Sequence, residues 1–239
     1  KQNSLLDISI LEGALRDDFD AHAPRRMAVI DPLKLVLANL DDGHEESLVF
    51  ANHPKDASQG ERRIPFSREL WIEREDFAEV PPPGFKRLTV GGDVRLRGAG
   101  IIRCDEAVKD ADGNVVELHC TLDPESRPGM DGANRKVKGT IHWVSAKHAV
   151  MAEIRLYDRL FTVADPDSEA DGKTYVDYLN PDSRKVVTGY VEPAAADATP
   201  EQGYQFERNG YFVADRYDHR ADAPVFNRSV TLRDTWAGK

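Results

Sequence analysis

The run Tyr204-Gln205-Phe206-Glu207-Arg208-Asn209-Gly210-Tyr211-Phe212-Val213-Ala214 leaves the chain little freedom in how it folds. Two apolar-rich segments flank Asn-Gly, which favours the type I′ turn because both central residues of that turn need positive φ. The run predicts a β-hairpin with Gln205 and Glu207 on one face and Arg208 at the bend. Similar short segments recur: Met27–Leu40 broken by Pro32, Leu48–Asn52, Ile64–Glu73, Lys136–Ser145, Ala152–Val163 from the start of a second unit near Ala146, Thr174–Asn180, Lys185–Pro193 and Pro224–Trp236. Between them lie polar loops, including the acidic stretch Glu192–Gly203. Many short strands with turn signals between them predict a mainly β chain, arranged as two consecutive β-barrels. In Ala152–Val163 the inward positions are Ile154, Leu156 and Leu160; in the last segment they are Phe226, Val230 and Leu232.

One amphipathic helix precedes the strands. Ser4 with Asp7 reads as its start, and Leu5, Ile8, Leu11, Leu15 and Phe19 recur at helical spacing until Pro24 ends it. This is read as the end of a helical subdomain in a piece cut from a longer chain, since residue 1 is Lys and not Met. The run Arg74–Val80 predicts a helical turn before Pro81-Pro82-Pro83. Two cysteines, Cys104 and Cys120, fall opposite each other in a predicted hairpin that turns at Asp112-Gly113, and are read as reduced thiols of a cytoplasmic protein.

The 239 residues carry a net charge of −10. No apolar run approaches the roughly 18–20 residues of a membrane span, and no signal-peptide pattern opens the chain. Seven scattered histidines show no His-Glu-x-x-His spacing, and there is no Cys-x-x-Cys, so no metal site is expected. Phosphate-cradling glycine motifs and a Gly-x-Ser-x-Gly elbow are also missing, so no catalytic residue is assigned.

In such an acidic chain the window Gly84–Arg103 stands out. It holds Lys86, Arg87, Arg95, Arg97 and Arg103 against one acid, Asp93. A tight turn at Gly91-Gly92-Asp93 would make it a hairpin, with Val94 and Leu96 beneath and Arg95 and Arg97 sharing the upper face. Gly98, Ala99 and Gly100 would let a ligand approach the backbone. Other cations and amides lie at Arg25-Arg26, Lys55, Arg62-Arg63 and Gln205 with Arg208. Guanidinium planes that stack, and forks that read base edges, suit unstacked RNA bases. A net-negative protein must bind RNA through a local basic patch of this kind.

These residues carry a specific resemblance. His22-Ala23-Pro24-Arg25-Arg26-Met27-Ala28-Val29-Ile30-Asp31-Pro32, Asn52-His53-Pro54, Phe85-Lys86-Arg87-Leu88, Val94-Arg95-Leu96-Arg97, the run Lys136–Ser145, Ile154–Phe161, Gln205–Phe212, Pro224–Arg228 and Leu232–Trp236 resemble, in order, the C-terminal part of bacterial glutaminyl-tRNA synthetases. The resemblance implies a helical end (1–23), a proximal ribosomal-protein-like anticodon-binding barrel (24–145, with 223–239 returning to it) and a distal barrel (146–222). It implies a monomer whose partner is the tRNA(Gln) anticodon loop, with no DNA or membrane partner. This fragment would need no cofactor, while ATP and Mg²⁺ would serve the parent enzyme. By position, Arg25 and Gln205, with Arg208 nearby, would serve the middle base. Lys86 and Arg87 would serve the third, and Arg95 and Arg97 the first base and its phosphate. Two positions depart from the family pattern: Gly84 stands where its bacterial type has Gln, and Lys55 stands where it has Asn. Lys55 would then reach a phosphate. The alternatives are the related glutamyl enzyme of eukaryotic and archaeal type, a barrel that binds ribosomal RNA, or one that binds protein or sugar.

Overall fold

A computed structural model of the chain describes residues 7–167 and 172–233. Helix α1 (Ile8–His22) starts at Asp7, whose carboxylate accepts the Ser9 N–H at 2.8 Å. The expected Ser4 start, and Leu5, lie outside the described residues. Of the remaining stripe, Leu15 and Phe19 are half-buried, whereas Ile8 and Leu11 are exposed. Phe19 stacks on Tyr211 at 5.3 Å.

One sheet collects β3 (Pro32–Leu37), β6 (Glu69–Glu73), β7 (Asp93–Leu96), β8 (Gly100–Lys109), β9 (Val115–Asp123), β10 (Thr140–Ile141) and β11 (Val144–Ser145), in the order β10-β7-β8-β9-β3-β6-β11. A second collects β1 (Arg25–Arg26), β2 (Ala28–Val29), β12 (Val150–Tyr157), β13 (Arg184–Val191), β14 (Gly203–Phe206), β15 (Gly210–Ala214) and β16 (Val225–Val230), in the order β1-β14-β15-β16-β12-β13-β2. The pair β4 (Glu45–Ala51) and β5 (Glu61–Ser67) forms its own ladder. In both large sheets the two outermost strands are consecutive in the chain. Only Met27 separates β1 from β2, and only His142 and Trp143 separate β10 from β11. Each sheet thus curls until one split strand touches both of its edges, which leaves almost no open edge. Trp143, fully buried, pins the first split by donating its indole N–H to the Arg97 carbonyl at 2.9 Å.

The mainly β, two-barrel reading is borne out. Leu33, Leu35, Phe66, Leu96 and Trp143 fill the first core, and Ile154, Tyr204, Phe206, Phe212 and Phe226 fill the second. Residues 25–29, expected in the first barrel, pair with β14 and β13 of the second sheet, although Met27 and Val29 sit in the first core. The expected return of 223–239 to the first barrel is corrected for 225–230. This strand lies between β15 and β12 because Phe226 packs edge-on against Phe206 at 5.0 Å in the second core.

Several local readings change for identifiable reasons. Ile64–Glu73 bends at Arg68, where the Ser67 hydroxyl donates to the Glu69 carbonyl at 2.7 Å. Thr174–Asn180 is a single 3-10 turn, Tyr175–Tyr178, since Asp177 accepts the Thr174 N–H at 2.7 Å in a capping box. Glu192–Gly203 contains a short helix, α2 (Pro193–Ala196), that buries Ala195 and Ala196. Strand β12 ends at Tyr157, which leaves Leu160 exposed. A turn closes at Thr89–Gly92, but β7 pairs with β8 through Arg97-Gly98-Ala99. Gly98 makes that bend at φ +64°, with the Phe50 ring where a side chain would stand. In the β14–β15 hairpin Phe206 pairs with Gly210, so the loop is Glu207–Asn209 with Arg208 at φ +69°. Asn209 is drawn out of the expected turn because its amide donates to the Ala28 carbonyl at 3.0 Å and to Glu73 at 2.8 Å. Cys104 and Cys120 are register partners as expected, both buried with free thiols.

Candidate nucleic-acid interface

The Glu207–Asn209 loop reaches from the second barrel to the first, and three of the expected site residues, Arg87, Arg97 and Arg208, meet where it lands. Arg208 donates to Asp76 Oδ2 at 2.6 Å and also to Oδ1, and Arg87 Nε lies 3.1 Å from that same Oδ1. Asp76 is fully buried. Arg87 also reaches the Glu75 carbonyl at 3.1 Å and its carboxylate at 3.2 Å. His142 Nδ1 stands 3.2 Å from Arg208. Burial works against the charge on Arg208, but Asp76, helped by Glu75 and Glu73, outweighs it and raises its pKa. Glu73 accepts the N–H groups of Ile30 at 2.8 Å and Asp31 at 2.9 Å. Burial pushes its carboxyl up, yet His142 and these N–H groups hold it below the ordinary value.

On the other flank of the loop, Glu207 pairs with Arg97 and lies 3.8 Å from Arg62. Arg62 grips the buried Glu192, which accepts the Met27 N–H at 2.8 Å and stands 3.6 Å from Arg26. Burial pushes the Glu192 carboxyl up despite these cations. Arg87, Arg97 and Arg208 therefore converge on one seam.

A second group gathers at the C-terminal end of α1. Arg25 and Gln205 are register partners in the parallel pair β1–β14. The buried Arg25 donates to the carbonyls of Ala23 at 2.7 Å, Asp20 at 3.0 Å and Phe19 at 3.3 Å, and to the Asp20 carboxylate at 2.8 Å. It caps the helix end, where partial negative charge collects. Lys55 pairs with the other Asp20 oxygen at 2.8 Å. Gln205 donates to the Tyr211 hydroxyl at 3.0 Å.

Arg95 joins neither group. It donates to the Arg135 carbonyl at 2.8 Å and the Ser126 carbonyl at 3.4 Å, so it does not share a face with Arg97. Strand alternation fails here because Arg97 has already left β7 for the bend. Arg95 borders a cleft of about 520 Å³ lined by Gly98, Ala99 and Gly100, the small residues noted in the sequence. Lys86 is exposed and has no ion-pair partner among the described residues.

A further cleft of about 390 Å³ opens beside Arg87, lined also by Phe85, Arg103, Lys136 and Lys138, with Asp93 the one acid. Beside it, Gly139 lets its segment approach the backbone of Lys86, since a side-chain carbon there would strike the Lys86 carbonyl. Sequence reasoning passed over Phe85, Lys136 and Lys138 as site residues, although Lys136 and Lys138 alternate in an extended run. It had no signal for Asp76 or Glu207, whose partners are distant in the chain. Among the described residues no three His, Cys, Asp or Glu side chains come together as a metal site.

Two family models match the chain, each described as the anticodon-binding domain of class I (E and Q) tRNA synthetases; one spans residues 23–123 and the other 140–215. The chain belongs to this family. The chain is 74% identical over 237 residues to glutamine–tRNA ligases of Xanthomonas euvesicatoria pv. vesicatoria and Xanthomonas axonopodis pv. citri, and 69% identical over 236 residues to that of Xylella fastidiosa. These alignments cover 99% of the chain and 41% of each relative. The boundary between the two matched stretches falls before β10, so the split strand of the first barrel belongs to the second match.

Proposed function

We propose that this chain is the anticodon-recognition region of a glutamine–tRNA ligase. The parent joins glutamine to its tRNA with ATP and Mg²⁺. This region binds the tRNA(Gln) anticodon loop as a monomer, in the cytoplasm, and performs no chemistry. The observation that carries the reading is the 74% identity to glutamine–tRNA ligases across 99% of the chain. The basic seam and the cleft beside Arg87 support it. ATP and Mg²⁺ do not fit this chain, which has no phosphate-cradling glycine motif and no clustered metal ligands among its described residues. Their site is assigned to the part of the relatives' length that the chain does not match.

In this reading the loop is unstacked across the seam. Gln205 and Arg208 serve the middle base together with Arg25, which must loosen its hold on α1 to do so. Lys86 and Arg87 serve the third base, with Phe85, Lys136 and Lys138 lining the cleft that receives it. Arg95 and Arg97 serve the first base and its phosphate from two sides, and Lys55 reaches a phosphate near α1. Phosphate oxygens and base edges are, like the internal carboxylates, bidentate acceptors for guanidinium, and they approach the exposed sides of Arg87, Arg97 and Arg208.

Equilibrium binding of labelled RNA hairpins tests this. The hairpin with a glutamine anticodon loop should bind more tightly than loops changed at one base, by about 1–3 kcal/mol per change, and affinity should fall with added salt. Arg87→Ala should relax choice at the third base alone. Equal affinity for every loop, or preference for the glutamate anticodon, would overturn the assignment.

A further inference from the structure

The carboxylate of Asp76 is a single group on which both halves of the chain depend. Asp76 and Arg87 lie in the first matched stretch and Arg208 in the second. Oδ1 is shared between Arg87 and Arg208, while Oδ2 is taken by Arg208 at 2.6 Å. A fully buried carboxylate cannot be left without a cation except at high cost, so at least one arginine must hold it at all times. The second is held there by more than attraction. Arg208 occupies φ +69°, a backbone region that side chains with a Cβ rarely adopt, and this bend aims it at Asp76. Neither guanidinium is sealed in: 29% of the Arg208 side chain and 37% of Arg87 remain exposed. Each is anchored inward and open outward.

We infer that Asp76 is a positioning residue that couples the reading of two neighbouring bases, by seating Arg87 and Arg208 on one shared carboxylate. The inference rests on the reading above, in which Arg208 serves the middle base and Arg87 the third. When a base engages the open side of Arg208, the guanidinium loses freedom and fixes Oδ1. Arg87 is then ordered before its own base arrives, so the second contact carries less of the ordering cost. If the base instead pulls Arg208 off the carboxylate, Oδ1 and Oδ2 both fall to Arg87, and the link is again direct. A carboxylate that merely joins the two barrels would change affinity for all loops alike. Coupling between two bases of the RNA is a property that such a joint does not have.

The experiment is a double-mutant cycle in the RNA, repeated on protein variants of the 239-residue chain. Hairpins changed at the middle base, at the third base, and at both are measured against the unchanged glutamine anticodon loop. With the wild-type chain the two single losses should multiply to about fivefold more than the double loss, because either change alone already removes the coupling. With Asp76→Asn the losses should multiply without remainder. Arg208→Lys, which keeps the charge but cannot hold both carboxylate oxygens, should also abolish the remainder. That variant decides the matter if the thermal melt of Asp76→Asn shows it to be unfolded. Multiplicative losses in the wild type, or a remainder that survives in the folded variants, would overturn the inference. No discrimination at either base by the wild type is a different result: it removes the assignment of the arginines to bases.

Discussion

Arg25 shows how a side chain can be read correctly for its neighbours and incompletely for its work. The family resemblance links it to Gln205, and β1–β14 pairing sets the two opposite each other. Its donors, however, are spent on the end of α1. If both residues serve one base, Arg25→Ala and Gln205→Ala should lose RNA affinity non-additively, with an interaction of about 0.5–3 kcal/mol. Strictly additive losses would put them in separate pockets. In urea, Arg25→Ala should also cost about 1–3 kcal/mol of stability, because buried carbonyls lose their donor. Asp215 is one source of acid sensitivity. Burial pushes the Asp215 carboxyl up, but the Asn227 amide, the N–H groups of Asp218 and Tyr217, and Arg155 outweigh this and hold it at about 2, against an ordinary 3.8. The folded value is the lower one, so the stabilisation is complete above about pH 4 and is lost as pH falls toward 2. Asn227→Ala should flatten the stability profile in that window, as followed by denaturation at pH 2 to 5. The basic side chains were legible because cations stand out in an acidic chain. Their acidic partners were not: Arg208 and Asp76 are 132 residues apart, and no local pattern joins them.

Among elements, alternation and turn residues gave most strands and the β8–β9 and β14–β15 hairpins. What they missed were interruptions caused by tertiary contacts. The favoured Asn-Gly turn gave way because Asn209 has two partners outside its hairpin, and the loop moved back by one residue. A capping box overrode strand propensity at Thr174. The split strand β10–β11 read as the single segment Lys136–Ser145, whereas β1 lay just ahead of the expected segment that begins at Met27. Gly98 is a point where the local rule and the packing agree. Its φ is +64°, and an added Cβ would sit 2.5 Å from Phe50 Cζ. Gly98→Ala should therefore cost more than about 1 kcal/mol in thermal or urea unfolding. Gly43→Ala, where nothing lies within 4 Å, should stay within about 0.5 kcal/mol. Similar costs at the two sites would mean that the β7–β8 bend tolerates a side chain.

For the molecule as a whole, the net charge of −10 coexists with a cationic seam because the acids that face inward are matched by arginines across the two barrels. Glu192 is one of these, and Glu192→Ala would leave the buried Arg62 and Arg26 without its carboxylate. A loss of about 3–5 kcal/mol is expected. With the cores and the charges both shared, calorimetry should show one unfolding transition whose two enthalpies agree; two resolved peaks would mean the barrels stand alone.

The split strands also set a limit on taking the protein apart. Severing the backbone between residues 124 and 139, where the two family matches part, would strand β1 and β2 on one product and their partners β14 and β13 on the other. The same cut would strip β10 and β11 from the strands they complete. Each product would carry raw hydrogen-bonding margins, and in a test tube the two should find each other, or copies of themselves, before either stayed in solution.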